Sequence, residues 1–177
     1  ITFFNITVKG KGGHGSTPFM CKNPIIPSCH IVLALSQITS QEVDSKETCV
    51  VSVGSLQSGN AGNVIPDIAV IKGTIRTTKK EVKSLIVERI NVLATSFSRG
   101  FGCEAEVTFP FNSDETVNSK ELKIIVQEIS EKHFSYTEKF LPLMASEYFS
   151  EYCKISPSVF FVLVGEDYEH NFIIHSS

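Results

Sequence analysis

Apolar and polar positions alternate from Phe3 to Val8, the period-two pattern of a β-strand with one buried face. Gly10, Gly12, Gly13 and Gly15 then interrupt the pattern, which predicts a flexible loop. Past Asn23-Pro24, apolar residues return at helical spacing: Ile25, Ile26, Cys29, Val32, Leu33, Leu35 and Ile38. The spacing predicts a helix over 24–40, with Pro27 tolerated only because it falls in the first turn. The β-branched run Cys49 to Leu56 reads as a strand closed by Ser58-Gly59-Asn60, and Ile68 to Thr77 reads as the next. Between them Pro66 has no N–H to donate, so Asn63 to Asp67 is not ordinary central strand. Val82, Leu85, Ile86, Ile90, Leu93 and Phe97 line one face of an amphipathic helix over Lys79 to Arg99. Glu104 to Phe109 alternates as a half-buried edge strand.

The order strand, helix, strand, strand, helix, strand predicts an α+β, ferredoxin-like (βαββαβ) domain over 1–109, with one antiparallel sheet and both helices on one face. The turn-rich stretch Pro110 to Asp114 marks a junction. Beyond it the pattern predicts a helix at about 119–133, a loop around Pro142, a short helical turn at 146–153 and a strand at 158–164, with loop after that. One good strand and one good helix are too little to close a core. Residues 110–177 are therefore expected to be an incomplete α/β segment of a second domain.

Composition narrows the function classes. The 177 residues are 42% hydrophobic and 20% charged, which excludes a disordered or collagen-like chain. A net charge of −3, with no basic block, argues against a nucleic-acid partner. The longest apolar run, Val159 to Val164, is far shorter than the roughly 18 residues of a membrane helix, so no membrane span is expected. Cys21, Cys29, Cys49, Cys103 and Cys153 form no CxxC pair, so reduced structural thiols are expected rather than a zinc knuckle or a redox motif. Asn5-Ile6-Thr7 is a glycosylation triplet, but its place in a strand makes it poor evidence of secretion. The start at Ile1 and the stop just after His175 are what a piece of a longer protein would show. Targeting signals are then out of view, and the compartment stays open with the cytoplasm favoured.

Three groups of residues carry candidate chemistry. His14 sits among glycines that allow close approach of a ligand or another chain, and its imidazole can donate to an oxygen near neutral pH. An exposed histidine in a turn is the plain alternative. The Lys-Ser/Thr pair that a phosphate loop requires after its glycines is absent. Asn63 lies in a Gly-Asn-Ala-Gly-Asn loop and Arg76 ends the strand returning from it. The guanidinium of Arg76 would suit a carboxylate and the amide of Asn63 a carbonyl, against the alternatives of an Asx turn and a solvated arginine. The C-terminal Glu147, Glu166, Asp167, Glu169, His170 and His175 do not by spacing define a metal site, and taken alone they read as a solvated acidic loop.

Taken together these segments resemble the M20 metallopeptidase and amidohydrolase family, especially its N-acyl-amino-acid and indole-acetyl-amino-acid hydrolases. The resemblance rests on Val8-Lys9-Gly10-Lys11-Gly12-Gly13-His14-Gly15-Ser16-Thr17-Pro18, on Gly59-Asn60-Ala61-Gly62-Asn63-Val64-Ile65-Pro66-Asp67 and on Gly73-Thr74-Ile75-Arg76-Thr77. It continues in Met144-Ala145-Ser146-Glu147-Tyr148-Phe149-Ser150 and the strand ending at Gly165, and reaches His175-Ser176. It implies a dimerisation domain over 1–109 inserted in a catalytic domain, of which 110–177 is the C-terminal portion. The half carrying most metal ligands and the general-base glutamate lies outside this chain.

The implied activity is hydrolysis of the amide bond of a small N-acyl amino acid, with two divalent metals, usually zinc and in some members manganese or cobalt, activating a water. His14 would reach across a homodimer to polarise the scissile carbonyl. Asn63 and Arg76 would hold the substrate, His175 would be the last metal ligand, and Glu147 would either be structural or support the metals through their ligands. With His175 as the one matching ligand, the chain alone is expected to hold no metal pair tightly and to be inactive. The dimer would form through the helix at 24–40 and the strand at 49–56. Ala145 and Tyr148 depart from the family's Gly-x-Glu-Asp-Phe pattern, and Tyr148 removes a charge near the catalytic centre. A non-catalytic dimerisation fragment or pseudoenzyme scaffold is the alternative function. A stand-alone ferredoxin-like binding module, by fold analogy, is a third.

Overall fold

The computed structural model describes residues 1–113, 116–133, 136–139, 149–162 and 172–175. The chain divides into two units, Ile1–Asn112 and Ser113–Ser177.

In the first unit the alternating sequence forms strands β1 (Thr2–Lys9), β3 (Cys49–Ser58), β5 (Ile68–Thr77) and β6 (Glu104–Asn112), in the spatial order β3-β5-β1-β6. Every neighbouring pair is antiparallel. Two short strands, β2 (Gly13–His14) and β4 (Val64–Ile65), pair with each other outside this sheet. Helices α1 (Ile25–Gln37) and α2 (Lys80–Gly100) complete the ferredoxin-like unit. Because side chains alternate across a strand, Phe4, Ile6 and Val8 of β1 and Ala69, Ile71 and Ile75 of β5 point the same way. They form one buried core with Ile31 and Leu35 of α1 and Ile86, Ile90 and Ala94 of α2. Both helices thus cover one face, and Asn5, Lys72 and Arg76 belong to the other. Fully burying an aliphatic side chain of this size is worth about 1.5–3 kcal/mol, so this layer holds the unit together.

The boundaries depart from the sequence pattern where local chemistry intervenes. The first helix passes after Gln37 into a wider turn over Ile38–Glu42, whose Glu42 pairs with Arg89 of α2. The last strand continues past Phe109 through Pro110 to Asn112. It can do so because β6 is an edge strand and its register on β1 shifts between Phe3 and Asn5, so the missing proline N–H breaks no ladder. Helix α2 ends by accepting Cys103 N–H at Ser98 O (2.8 Å) and Gly102 N–H at Arg99 O (3.0 Å). The reversal needs a left-handed residue, and Gly102 has φ +71°.

In the second unit, α3 (Lys120–His133), β7 (Tyr136–Lys139), α4 (Phe149–Cys153), β8 (Phe161–Val162) and β9 (Phe172–His175) are described. The expectation of loop after residue 164 is corrected: β9 lies between β7 and β8, parallel to the first and antiparallel to the second. A parallel pairing between segments so far apart leaves no local period to read. Asn118 holds this unit's chain by donating to Phe160 O (3.2 Å) and accepting Phe160 N–H (2.7 Å). Among the described residues, Ile124, Ile125 and Ile129 of α3 are exposed. The loop around Pro142 lies outside the described residues.

Candidate functional site

Strand β1 ends at Lys9 opposite Ile68, the first residue of β5. The glycine loop after β1 and the loop before β5 therefore leave the sheet side by side, and they bind each other. His14 pairs with Val64 and Gly13 with Ile65. Gly15 N–H donates to Asn63 O (2.8 Å), Gly10 N–H to Asp67 O (2.7 Å) and Gly12 N–H to the Asp67 carboxylate (2.8 Å). His14 and Asn63 are brought together in this way, and both are exposed.

These contacts correct the expectation of a flexible loop and explain the glycines. Among the described residues positive φ occurs only at Gly59 and Gly102, so none of the glycines around His14 is there for backbone handedness. A Cβ on Gly10 would stand 2.1 Å from Lys22 O, one on Gly12 2.6 Å from Ile65 O, and one on Gly15 3.0 Å from Asn63 O. The close approach that glycine permits is between two segments of this chain.

The turn after β2 fixes the imidazole locally. His14 O accepts Thr17 N–H (3.0 Å) and Thr17 Oγ1–H (3.2 Å). Ser16 lies against the ring, with its Oγ 2.8 Å and its amide N 3.2 Å from Nδ1. Asp67 and Ser16 both lie within the motifs, yet residue type and spacing alone mark neither as functional. The signal for Asp67 is a crowd of glycine N–H groups that need acceptors.

Arg76 is at the other end of the sheet. It pairs with Val50 near the end of β5, eight positions from Ile68, or ~26 Å along an extended strand. The sheet therefore does not bring Arg76 beside His14 and Asn63. Glu147, Ala145, Tyr148 and His170 lie outside the described residues. His175 is placed by its backbone, on β9 opposite Lys139 rather than in a loop. Among the described residues, no three His, Cys, Asp or Glu side chains are grouped to hold a metal ion. The described residues therefore do not make the divalent-metal centre that the resemblance implies.

All five cysteines are free thiols. Burial pushes the Cys103 thiol above its ordinary value, with Lys22 opposing weakly. Burial and the nearby Glu47 do the same to Cys49. Both are thereby kept protonated and poor nucleophiles. No helix among the described residues is long and apolar enough to cross a membrane.

Residues 1–98 match the M20 family of peptidase dimerisation domains, a span that holds the whole His14–Asn63 arrangement and Arg76. The chain belongs to this family. Hippurate hydrolase of Campylobacter jejuni is 33% identical over 175 residues, covering 95% of this chain and 45% of the relative. N-acetyl-L-cysteine deacetylase of Bacillus subtilis is 29% identical over 168 residues, covering 95% and 40%. The chain thus spans less than half the length of these M20 relatives. Among solved structures, an amidase of the hydantoinase/carbamoylase family from Burkholderia vietnamiensis superposes with a TM-score of 0.77 at 14% identity, over 98% of this chain and 39% of that one. Aminopeptidase PepT from Bacillus cereus gives 0.70 at 12% identity, over 98% and 43%. At these identities the likeness is one of fold.

Proposed function

We propose that this M20 chain works within a longer amidohydrolase that cleaves the amide bond of small N-acyl amino acids. In this reading residues 1–109 are the dimerisation domain and 110–177 a share of the catalytic domain. The observation that carries it is the exposed imidazole of His14, held on a short β-ladder against the Asn63 loop. A fixed, solvent-facing donor of this kind suits an oxygen whose negative charge grows as an amide carbonyl is attacked. Asn63, joined to the same ladder, orients the substrate, and the guanidinium of Arg76 takes its carboxylate. The opposite placement of Arg76 and His14 on the sheet fits a site composed from two copies, with His14 acting on the neighbour. The exposed apolar residues of α3 fit a segment that completes its core with more of the same domain. His175 is the proposed single contribution of this chain to a divalent-metal pair, zinc or manganese, with Glu147 supporting it.

A homodimer follows from the same reading. Strand β3 is a sheet edge, and α1 exposes Ile26 and Leu33 beside it. Pairing β3 with its copy would satisfy an edge that otherwise invites aggregation. A two-fold dimer in sedimentation at micromolar concentration supports this, and a monomer throughout that range rejects it.

Activity is tested in the amidohydrolase that contains this segment, with hippurate and N-acetylcysteine as substrates. His14→Ala is expected to lower kcat by ~100-fold, the scale of a lost oxyanion donor, with KM nearly unchanged. Mixed with subunits lacking a metal ligand, His14→Ala subunits are expected to recover part of the activity. An unaltered kcat rejects the role of His14, and no recovery despite subunit exchange rejects action on the neighbour.

A further inference from the structure

The imidazole of His14 has two nitrogens, and only the protonated one can donate to a carbonyl oxygen. At Nδ1 the structure shows two neighbours from a single residue. The amide N of Ser16 lies 3.2 Å away with its hydrogen directed at the ring, and Ser16 Oγ lies at 2.8 Å. A hydroxyl can donate or accept, so Oγ alone leaves the tautomer open. An amide N–H only donates. The atom that receives it must present a lone pair, which makes Nδ1 the unprotonated nitrogen of the neutral ring and puts the proton on Nε2.

We infer that Ser16 is a positioning residue, which holds neutral His14 with its proton on Nε2 by aiming its amide and hydroxyl hydrogens at the one Nδ1 lone pair, which the two donors share. Three features of the turn support this. The carbonyl of His14 is occupied by Thr17 through both N–H and Oγ1–H, so the backbone between the ring and Ser16 is held in place. Gly15 N–H is held by Asn63 O, so the residue joining His14 to Ser16 is fixed to the neighbouring loop. His14 is exposed, as a residue that meets a substrate must be. The inference rests on the reading of His14 as a carbonyl-polarising donor, and names the atom that donates.

The ring nitrogens can be read directly by long-range 1H–15N correlation on the histidine-labelled 177-residue chain at about pH 9, where an ordinary histidine with a pKa of roughly 6.5 is neutral. His14→Gln identifies the His14 signals by their loss. In the unaltered chain, His14 is expected to show a lone-pair nitrogen at Nδ1 and a protonated one at Nε2. These should be more widely separated than in free histidine, where the two tautomers exchange. Ser16→Ala keeps the longer amide contact and loses the shorter hydroxyl one. It is expected to move the two resonances towards each other, and Ser16→Thr to restore their separation. In a second, uniformly 15N-labelled sample near neutral pH, the Gly12 and Gly15 amide signals report whether the loop itself is intact. A protonated Nδ1 in the unaltered chain overturns the inference, as does a free-histidine pattern there. So does a Ser16→Ala spectrum with unchanged ring nitrogens. No substrate is present in this measurement, so its failure leaves the amide-hydrolysis reading standing, and the His14→Ala kinetics test that reading separately.

Discussion

Replacing Gly12 by alanine tests whether the glycines beside His14 serve packing or flexibility. The added Cβ would stand 2.6 Å from Ile65 O and 3.1 Å from both Cγ and Oδ1 of Asp67, where ordinary contact begins at 3.4 Å. The loops must part by about 0.8 Å, enough to stretch the 2.8 Å bond from Gly12 N–H to the Asp67 carboxylate beyond hydrogen-bonding range. Overpacking costs about 1–3 kcal/mol, and a hydrogen bond to a charged group about 1.5–3 kcal/mol. The site is exposed and can relax, so we expect a net loss of ~2 kcal/mol. With an m-value of about 2 kcal/mol/M, the urea midpoint falls by ~1 M. The first unit contains neither Trp nor Tyr, so unfolding is followed by far-UV circular dichroism and by exchange of the Gly12 and Gly15 amides, both expected to speed up. Gly62 is the control. It lies in the facing loop, has no left-handed φ, and a Cβ there meets nothing within 4 Å. Gly62→Ala is expected to be neutral, or to stabilise by about 0.4–1 kcal/mol through the unfolded chain. If Gly12→Ala keeps full stability and amide protection, or Gly62→Ala does equal damage, the packing explanation is wrong.

Two further outcomes are expected. Ile90 is fully buried at the centre of the core, so Ile90→Ala should cost about 2–5 kcal/mol in urea unfolding, and a loss under 1 kcal/mol would contradict the core assignment. Lys9, 2.7 Å from Glu106, holds that carboxyl below its ordinary value, so the pair's contribution is present above the ordinary carboxylate range and disappears as pH falls through the depressed value. Both groups are exposed, so the effect is small and screened by salt. An NMR titration should show Glu106 returning to the ordinary value in Lys9→Met, and no movement would exclude the pair.

Much of this fold is legible in the sequence because its determinants are local. Alternation in β1 and β5 and the helical spacing of Val82, Ile86 and Ile90 are properties of neighbouring residues, and they place the main elements of the first unit to within a few positions. The motif around His14 and the Asn63 loop likewise reads directly as the M20 pattern. Which segments meet is a matter of long-range packing that no local pattern records. Alternation cannot state that β2 pairs with β4, because two-residue strands have no period. Nor can it separate Gly12, closed in by Ile65 O, from Gly62, which faces open space. The parallel contact of β7 with β9, and with it the strand position of His175, depends on chain closure across more than thirty residues. Arg76 and Asn63 are near in sequence, yet an extended strand carries the first to the far end of the sheet, while the glycine loop brings distant His14 back to the second. Local periodicity sets the pieces, and the long-range backbone hydrogen bonds between them set the geometry of the site.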